Sequence, residues 1–137
     1  REYFSAEFSV SDEEYTILIH QDTSIASTAS IENGVLVNPG VVIAPYCVVE
    51  RFVTVNRNAS LGHHSVIGEF TQINPAVNIA GNCSIGKNVV LGMGAMIFDG
   101  VSIGDNSIIG GGAVVTQDIP DNVLAYGIPA KTVKDLD

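Results

Sequence analysis

The sequence predicts an all-β solenoid: a parallel β-helix whose chain turns a corner every six residues and closes a triangular coil every eighteen. Three observations predict it. From Ile25 to Val115 every sixth residue is aliphatic, running Ile25, Ile31, Val37, Ile43, Val49, Val55, Leu61, Ile67, Ile73, Ile79, Ile85, Leu91, Ile97, Ile103, Ile109, Val115. Four residues after each stands a small or β-branched one, from Ala29 and Val35 through to Ser107 and Ala113. The composition is 46% hydrophobic but only 7% aromatic, with 14 Gly and no Trp. Such a chain suits a narrow core of branched side chains better than a bundle or sandwich built on large ones.

A six-residue period fits neither a 3.6-residue helix nor a two-residue alternation. Self-similarity at a fixed short period marks a repeat architecture, in which each unit buries its apolar side against its neighbours. Three sides of six residues turn the aliphatics inward, and each coil hydrogen-bonds to the next at about 4.8 Å. About five such coils fit residues 25–116. Gly at the position after the aliphatic, as at Gly62, Gly68 and Gly86, is expected to relax the backbone near the corner.

A β-helix leaves an open sheet edge at each end unless something covers it. Residues 117–137 break the repeat with Pro120, Gly127 and Pro129 and are expected to cap the last coil. Residues 1–24 read as a lead-in segment, with Tyr3, Phe4, Phe8 and a strand-like run from Tyr15 to Ile19. Their start at Arg1 is compatible with the tail of a preceding N-terminal domain.

Charge narrows the partners. Six Lys and Arg against 15 Asp and Glu give a net charge of −9, which lacks the cationic footprint of a nucleic-acid binder. No apolar run reaches the roughly 20 residues of a membrane-spanning helix. Small molecules or further copies of the chain are therefore the expected partners. Cys47 and Cys83 fall on the same inward position two coils apart, roughly 10 Å by strand spacing, too far for a disulfide. They are expected to be core thiols, consistent with a reducing cytoplasm.

With aliphatics filling the interior, chemistry must sit on corners and outer faces. One corner column reads Ser27-Thr28, Pro45-Tyr46, His63-His64, Gly81-Asn82, Asp99-Gly100, Gln117-Asp118; another reads Pro39-Gly40, Arg57-Asn58, Pro75-Ala76, Met93-Gly94, Gly111-Gly112. A corner histidine has no packing duty, so its bland reading is a solvated side chain. Against that, Gly81 and Gly100 clear the surface above His63, as a long ligand lying along the axis would require. Imidazole, titrating near neutrality, is the natural base for a hydroxyl or amine.

The stretch Asn56 to Phe70, with Ala80-Gly81-Asn82, Ile109 to Ala113 and Gly127-Ile-Pro-Ala-Lys131, resembles the bacterial hexapeptide-repeat sugar acetyltransferases. These include sialic acid O-acetyltransferase-like enzymes and the N-acetyltransferases of nucleotide-linked amino sugars. The resemblance implies a left-handed coil, acetyl-CoA as co-substrate, no metal, and a homotrimer with sites between subunits. It also implies His63 as general base, Asn56 as a sugar contact, Gln72, Met93 and Gly111 as acetyl-CoA contacts, and the Gly81 N–H as partner of the thioester oxygen. Lys131 is the leading candidate for the CoA phosphates, with Lys87 behind it. One departure stands out: the family usually carries an acid directly after the base, where this chain has His64. A neutral imidazole can orient a ring by hydrogen bonding but brings no negative charge.

Rival readings remain. A zinc-dependent hydratase on this fold needs three well-spaced histidines, which adjacent His63 and His64 with distant His20 do not supply. An ice-binding coil would show Thr rows on one face. A non-catalytic trimeric scaffold, or an acyltransferase on a non-sugar acceptor, are the serious alternatives.

Overall fold

In a computed structural model that describes residues 15–136, each hexad contributes one two-residue strand, and strands eighteen apart pair in parallel: Leu18 with Leu36, Ser60 with Asn78, Ser84 with Ser102. Three sheets result, forming the faces of a prism. The first face stacks Leu18–Ile19, Leu36–Val37, Thr54–Val55, Gln72–Ile73, Val90–Leu91 and Ile108–Ile109. The second runs from Ser24–Ile25 through Ser60–Leu61, Asn78–Ile79 and Met96–Ile97 to Val114–Val115, and the third from Ser30–Ile31 to Ser102–Ile103. The coil count is nearer six than the five expected, because Leu18–Ile19 supplies a rung below residue 25. Tyr3, Phe4 and Phe8 of the lead-in segment lie outside the described residues.

Both inward positions of the hexad are filled as the spacing requires. The aliphatics from Val37 to Val115 and their small partners, such as Val53, Ala59, Val77 and Ala95, form one continuous buried core. Ser65, Thr71 and Ser107 take the small position as polar residues and are also buried. Each spends its hydroxyl on two backbone groups: Thr71 Oγ1 donates to the Gly86 carbonyl at 2.8 Å and accepts from Val89 N–H at 3.0 Å. A buried hydroxyl is tolerated when paired in this way.

The glycine after the aliphatic works differently from expectation. At Gly62 a Cβ would overlap the Ala80 carbonyl of the next coil, so close approach of two backbones is what excludes a side chain. Left-handed backbone instead occurs later in each corner, at His64 (φ 57), Asn82 (φ 57) and Gly100 (φ 72).

The C-terminal segment continues the first face. Val123–Gly127 pairs in parallel with Ile108–Ile109, and Ala130–Asp135 turns back antiparallel beside it. Val123 and Ala125 join the core, so the segment extends this face by two strands, with Ala130–Asp135 at its outer edge. Among the described residues no helix is long and apolar enough to cross a membrane.

Candidate active site

The corner between the second and third faces carries His63 and His64, both exposed. The chain arrives from Ser60–Leu61, turns through Gly62-His63-His64-Ser65, and leaves on Val66–Ile67. Ser65 pins the inside of the turn, its hydroxyl donating to the Ala80 carbonyl (3.1 Å) and accepting from Cys83 N–H (3.0 Å). The left-handed backbone of His64 directs its side chain beside its neighbour's. The two Nδ1 atoms lie 3.1 Å apart and the rings stand edge to face at 84°. Tyr46, one coil below, lies against His64 with centroids 4.9 Å apart. One imidazole must donate across the Nδ1 contact and the other accept. With His63 donating, its Nε2 carries no proton and lies over Gly81 as a base.

Directly above stands Gly81. A Cβ there would lie 2.6 Å from both Cε1 and Nε2 of His63 and 3.0 Å from Asp99 Oδ1. The missing side chain therefore leaves room for the base. Gly81 is buried under the imidazole, yet its N–H meets no acceptor among the described residues, while its carbonyl takes Gly100 N–H at 3.0 Å. Buried amides are nearly always paired, so an unpaired one beside an exposed imidazole is a donor waiting for an oxygen. Above it, a Cβ on Gly100 would meet nothing within 4 Å. The sequence expectation of a cleared column thus meets open space at Gly100, while at Gly81 the His63 ring and Asp99 take up the room.

Asp99 completes the corner. Asn82 Nδ2 donates to its Oδ1 at 3.3 Å, and Asp99 also forms one end of a groove of about 470 Å³ on the second face, with Ser60, Asn78, Ala80, Met96 and Phe98. His63 is not part of that lining; the groove meets the corner through Ala80 and Asp99. Beneath Gly81 the Cys83 Sγ lies 3.1 Å from the Phe98 carbonyl. Burial pushes the Cys83 thiol up, and the Asp99 charge acts in the same direction. Cys47, one coil below Ser65, is pushed up to about 11 by burial. Both thiols are free and buried.

The other expected site residues lie elsewhere on the prism. Asn56, Met93 and Gly111 belong to the corner between the first and second faces, one full side of the triangle from His63. Met93 and Gly111 are stacked there, Gly112 N–H donating to the Met93 carbonyl at 2.8 Å. Asn56 spends its amide on the Ile73 carbonyl (3.1 Å), as Asn38 and Asn74 do on Val55 and Leu91, leaving its Oδ1 as acceptor. Gln72 is exposed on the first face and Lys131 on the terminal hairpin. Lys87 sits on the third corner, 3.2 Å from Glu69, already engaged in an ion pair. His20 Nδ1 accepts from Asp22 N–H at 3.1 Å, a local turn contact.

Two family models match the chain: the bacterial transferase hexapeptide (six repeats) over residues 64–99, and the hexapeptide repeat of succinyl-transferase over residues 83–117. No curated protein matches its sequence. Among solved structures, perosamine N-acetyltransferase from Caulobacter crescentus, in complex with CoA and GDP-perosamine, is 34% identical over 88% of this chain and 58% of its own, with a TM-score of 0.87. The acetyltransferase domain of PglB from Neisseria gonorrhoeae, in complex with acetyl coenzyme A, is 30% identical over 96% and 63%, with a TM-score of 0.88. WeeI from Acinetobacter baumannii is 26% identical over 96% and 63%, also at 0.88. The chain thus spans less than two thirds of the length of these relatives.

Proposed function

We propose, from the premise that this chain belongs to the bacterial hexapeptide-repeat transferases, that it moves an acetyl group from acetyl-CoA to an amino or hydroxyl group of a nucleotide-linked sugar. The observation that carries the reading is the meeting at Gly81 of an imidazole nitrogen on an exposed corner and a backbone N–H with no acceptor among the described residues. The relatives that bind CoA or acetyl-CoA, one of them with GDP-perosamine, support the choice of substrates.

In this mechanism His63 Nε2 takes a proton from the acceptor as its nitrogen or oxygen attacks the thioester carbonyl. General base catalysis of this kind contributes about 10²- to 10⁴-fold. The carbonyl oxygen gains charge and accepts from Gly81 N–H, a preorganised donor of a type that contributes about 10²- to 10³-fold. The C–S bond then breaks, and the imidazolium returns its proton to the CoA thiolate. His64 acts as positioning residue, holding the tautomer in which His63 Nε2 is free. It replaces the acid expected at that place by a hydrogen bond without charge.

Within one chain Asn56, Met93 and Gly111 cannot reach His63. A homotrimer resolves this, with the His63 corner of one copy facing the Met93–Gly111 corner of the next. Exposed Val42, Met96 and Phe98 on the intervening second face, between 43% and 52% accessible, supply apolar surface for such packing. Lys131 is assigned to the CoA phosphates, and the free thiols fit a cytoplasmic setting.

Thiol release from acetyl-CoA, measured with a panel of nucleotide-linked amino and hydroxy sugars, tests the reading. Turnover on at least one acceptor is expected, with His63→Ala losing it while calorimetry still detects acetyl-CoA binding. Absence of both turnover and cofactor binding would point to a scaffold.

A further inference from the structure

We propose that Asp99 is a specificity-determining residue for the acceptor, selecting an amine over a hydroxyl. The inference deepens the acetyl-transfer reading and rests on it. Its basis is the arrangement around Gly81. One point, the position of a Cβ on that glycine, lies 2.6 Å from His63 Nε2 and 3.0 Å from Asp99 Oδ1. The base and the carboxylate oxygen are therefore less than about 6 Å apart, the span of two hydrogen bonds of about 2.8 Å meeting at a single atom. The Cβ point itself is a bond length from Gly81 Cα, so a nucleophile bridging the two sits outward of it, on the exposed side of the corner.

Asp99 is held for this. Asn82 Nδ2 donates to the same oxygen, Oδ1, at 3.3 Å, fixing the carboxylate without neutralising it. Among the described residues no Lys or Arg pairs with Asp99; the recorded pairs join His20 to Asp22 and Arg51 and Lys87 to Glu69. The carboxylate is exposed at the mouth of the groove lined by Ser60, Asn78, Met96 and Phe98.

Both flanking groups accept hydrogen bonds, so the central atom must donate twice. A neutral primary amine has two N–H bonds and one lone pair. It donates to His63 Nε2 and to Asp99 Oδ1, and turns its lone pair to the thioester carbonyl. As the N–C bond forms, the first proton passes to His63 and then to the CoA thiolate released when C–S breaks. The second proton stays on nitrogen, bonded to Asp99, and becomes the amide N–H of the product. A hydroxyl has one hydrogen. Given to His63, it leaves oxygen lone pairs facing a carboxylate, an unpaired and repulsive contact. Sites built around such hydrogen bonds discriminate strongly against the analogue that cannot make them.

The test compares a nucleotide-linked 4-amino sugar with its 4-hydroxy counterpart, following thiol release by the full chain and by Asp99→Asn and Asp99→Ala. Wild type is expected to favour the amine by at least about tenfold in kcat/KM. Asp99→Ala should lower kcat/KM for the amine by about tenfold or more and leave the hydroxy sugar unchanged or improved, with acetyl-CoA affinity by calorimetry intact. Asp99→Asn retains an acceptor oxygen and should fall between. Equal losses on both acceptors, no loss on the amine, or a wild-type preference for the hydroxyl would overturn the role of Asp99 while leaving acetyl transfer standing. No turnover on either acceptor by wild type would overturn both.

Discussion

Two corners of the prism share one backbone and differ in everything outside it. On the corner joining the third face to the first, side chains of successive levels pack on one another, the Phe52 ring covering Gly34. Phe52 and Phe70 stack with centroids 5.1 Å apart, and Tyr15 meets Phe52 edge-on at 4.8 Å. Above them Asn88, Asn106 and Asn122 form an amide ladder at 3.3 and 3.0 Å. Beside these, Glu69 binds Arg51 at 2.6 Å and Lys87 at 3.2 Å, and Asp105 and Asp121 accept from the backbone N–H of Lys87 and Asp105. On the His63 corner the ladder is interrupted: Gly81 and Gly100 bring no side chain, an amide stands unpaired, and an imidazole and a carboxylate face the gap. A solenoid is stabilised by self-pairing between coils and gains a site where self-pairing is withheld.

That contrast can be broken from either side. The largest expected effect is on the filled corner. Phe52 is 4% exposed, and Phe52→Ala should cost about 3–5 kcal/mol by cavity formation, read as a lower denaturant midpoint with acetyl transfer by the folded fraction unchanged. Next comes Gly81→Ala. Its methyl would meet the tip of the His63 ring, which can swing away, so stability should hold while the base is displaced. A misplacement of about 1 Å costs on the order of 10²-fold in rate; kcat should fall that far at an unchanged melting temperature.

His64→Ala removes the partner of His63 Nδ1 and should lower kcat by less than the roughly 10²- to 10⁴-fold a general base contributes, with acetyl-CoA affinity unaltered. The smallest effect returns to the ionic corner. Burial raises the Glu69 carboxyl, but the hydrogen bonds and charges of Arg51 and Lys87 outweigh it and hold it below the ordinary carboxylate range. A carboxylate held low stabilises the fold above its unfolded pKa, and that contribution disappears as pH falls through the lowered folded value. Glu69→Gln should therefore cost under about 1 kcal/mol at neutral pH, as for partly exposed pairs, and the difference from wild type should vanish in acid.

The prism was legible because its determinant is a one-dimensional rhythm: an inward aliphatic every sixth residue leaves the chain few other ways to bury itself. The same rhythm already ran through Ile19, six before Ile25, where β-structure does begin. The filled corner was missed although its signal was present, in Phe52, Phe70, Asn88 and Asn106 spaced by eighteen. The candidate site was legible only as a column. His63, His64 and Gly81 do converge, but side-chain direction at a corner depends on left-handed backbone and on contacts between coils, which spacing does not encode. Hence spacing gives Asn56 and Asp99 their corners, while the Asn56 amide bond to the Ile73 carbonyl and the approach of Asp99 Oδ1 to Gly81 follow from contacts between coils.

The most direct measurement is a crystal structure of the chain with CoA and an amino-sugar acceptor. The account predicts the CoA sulfur over Gly81, the acceptor nitrogen within hydrogen-bonding distance of His63 Nε2, and the adenine end running toward the cap. CoA seated along the Arg51–Lys87 corner, with the His63 imidazole touching only solvent, would contradict it.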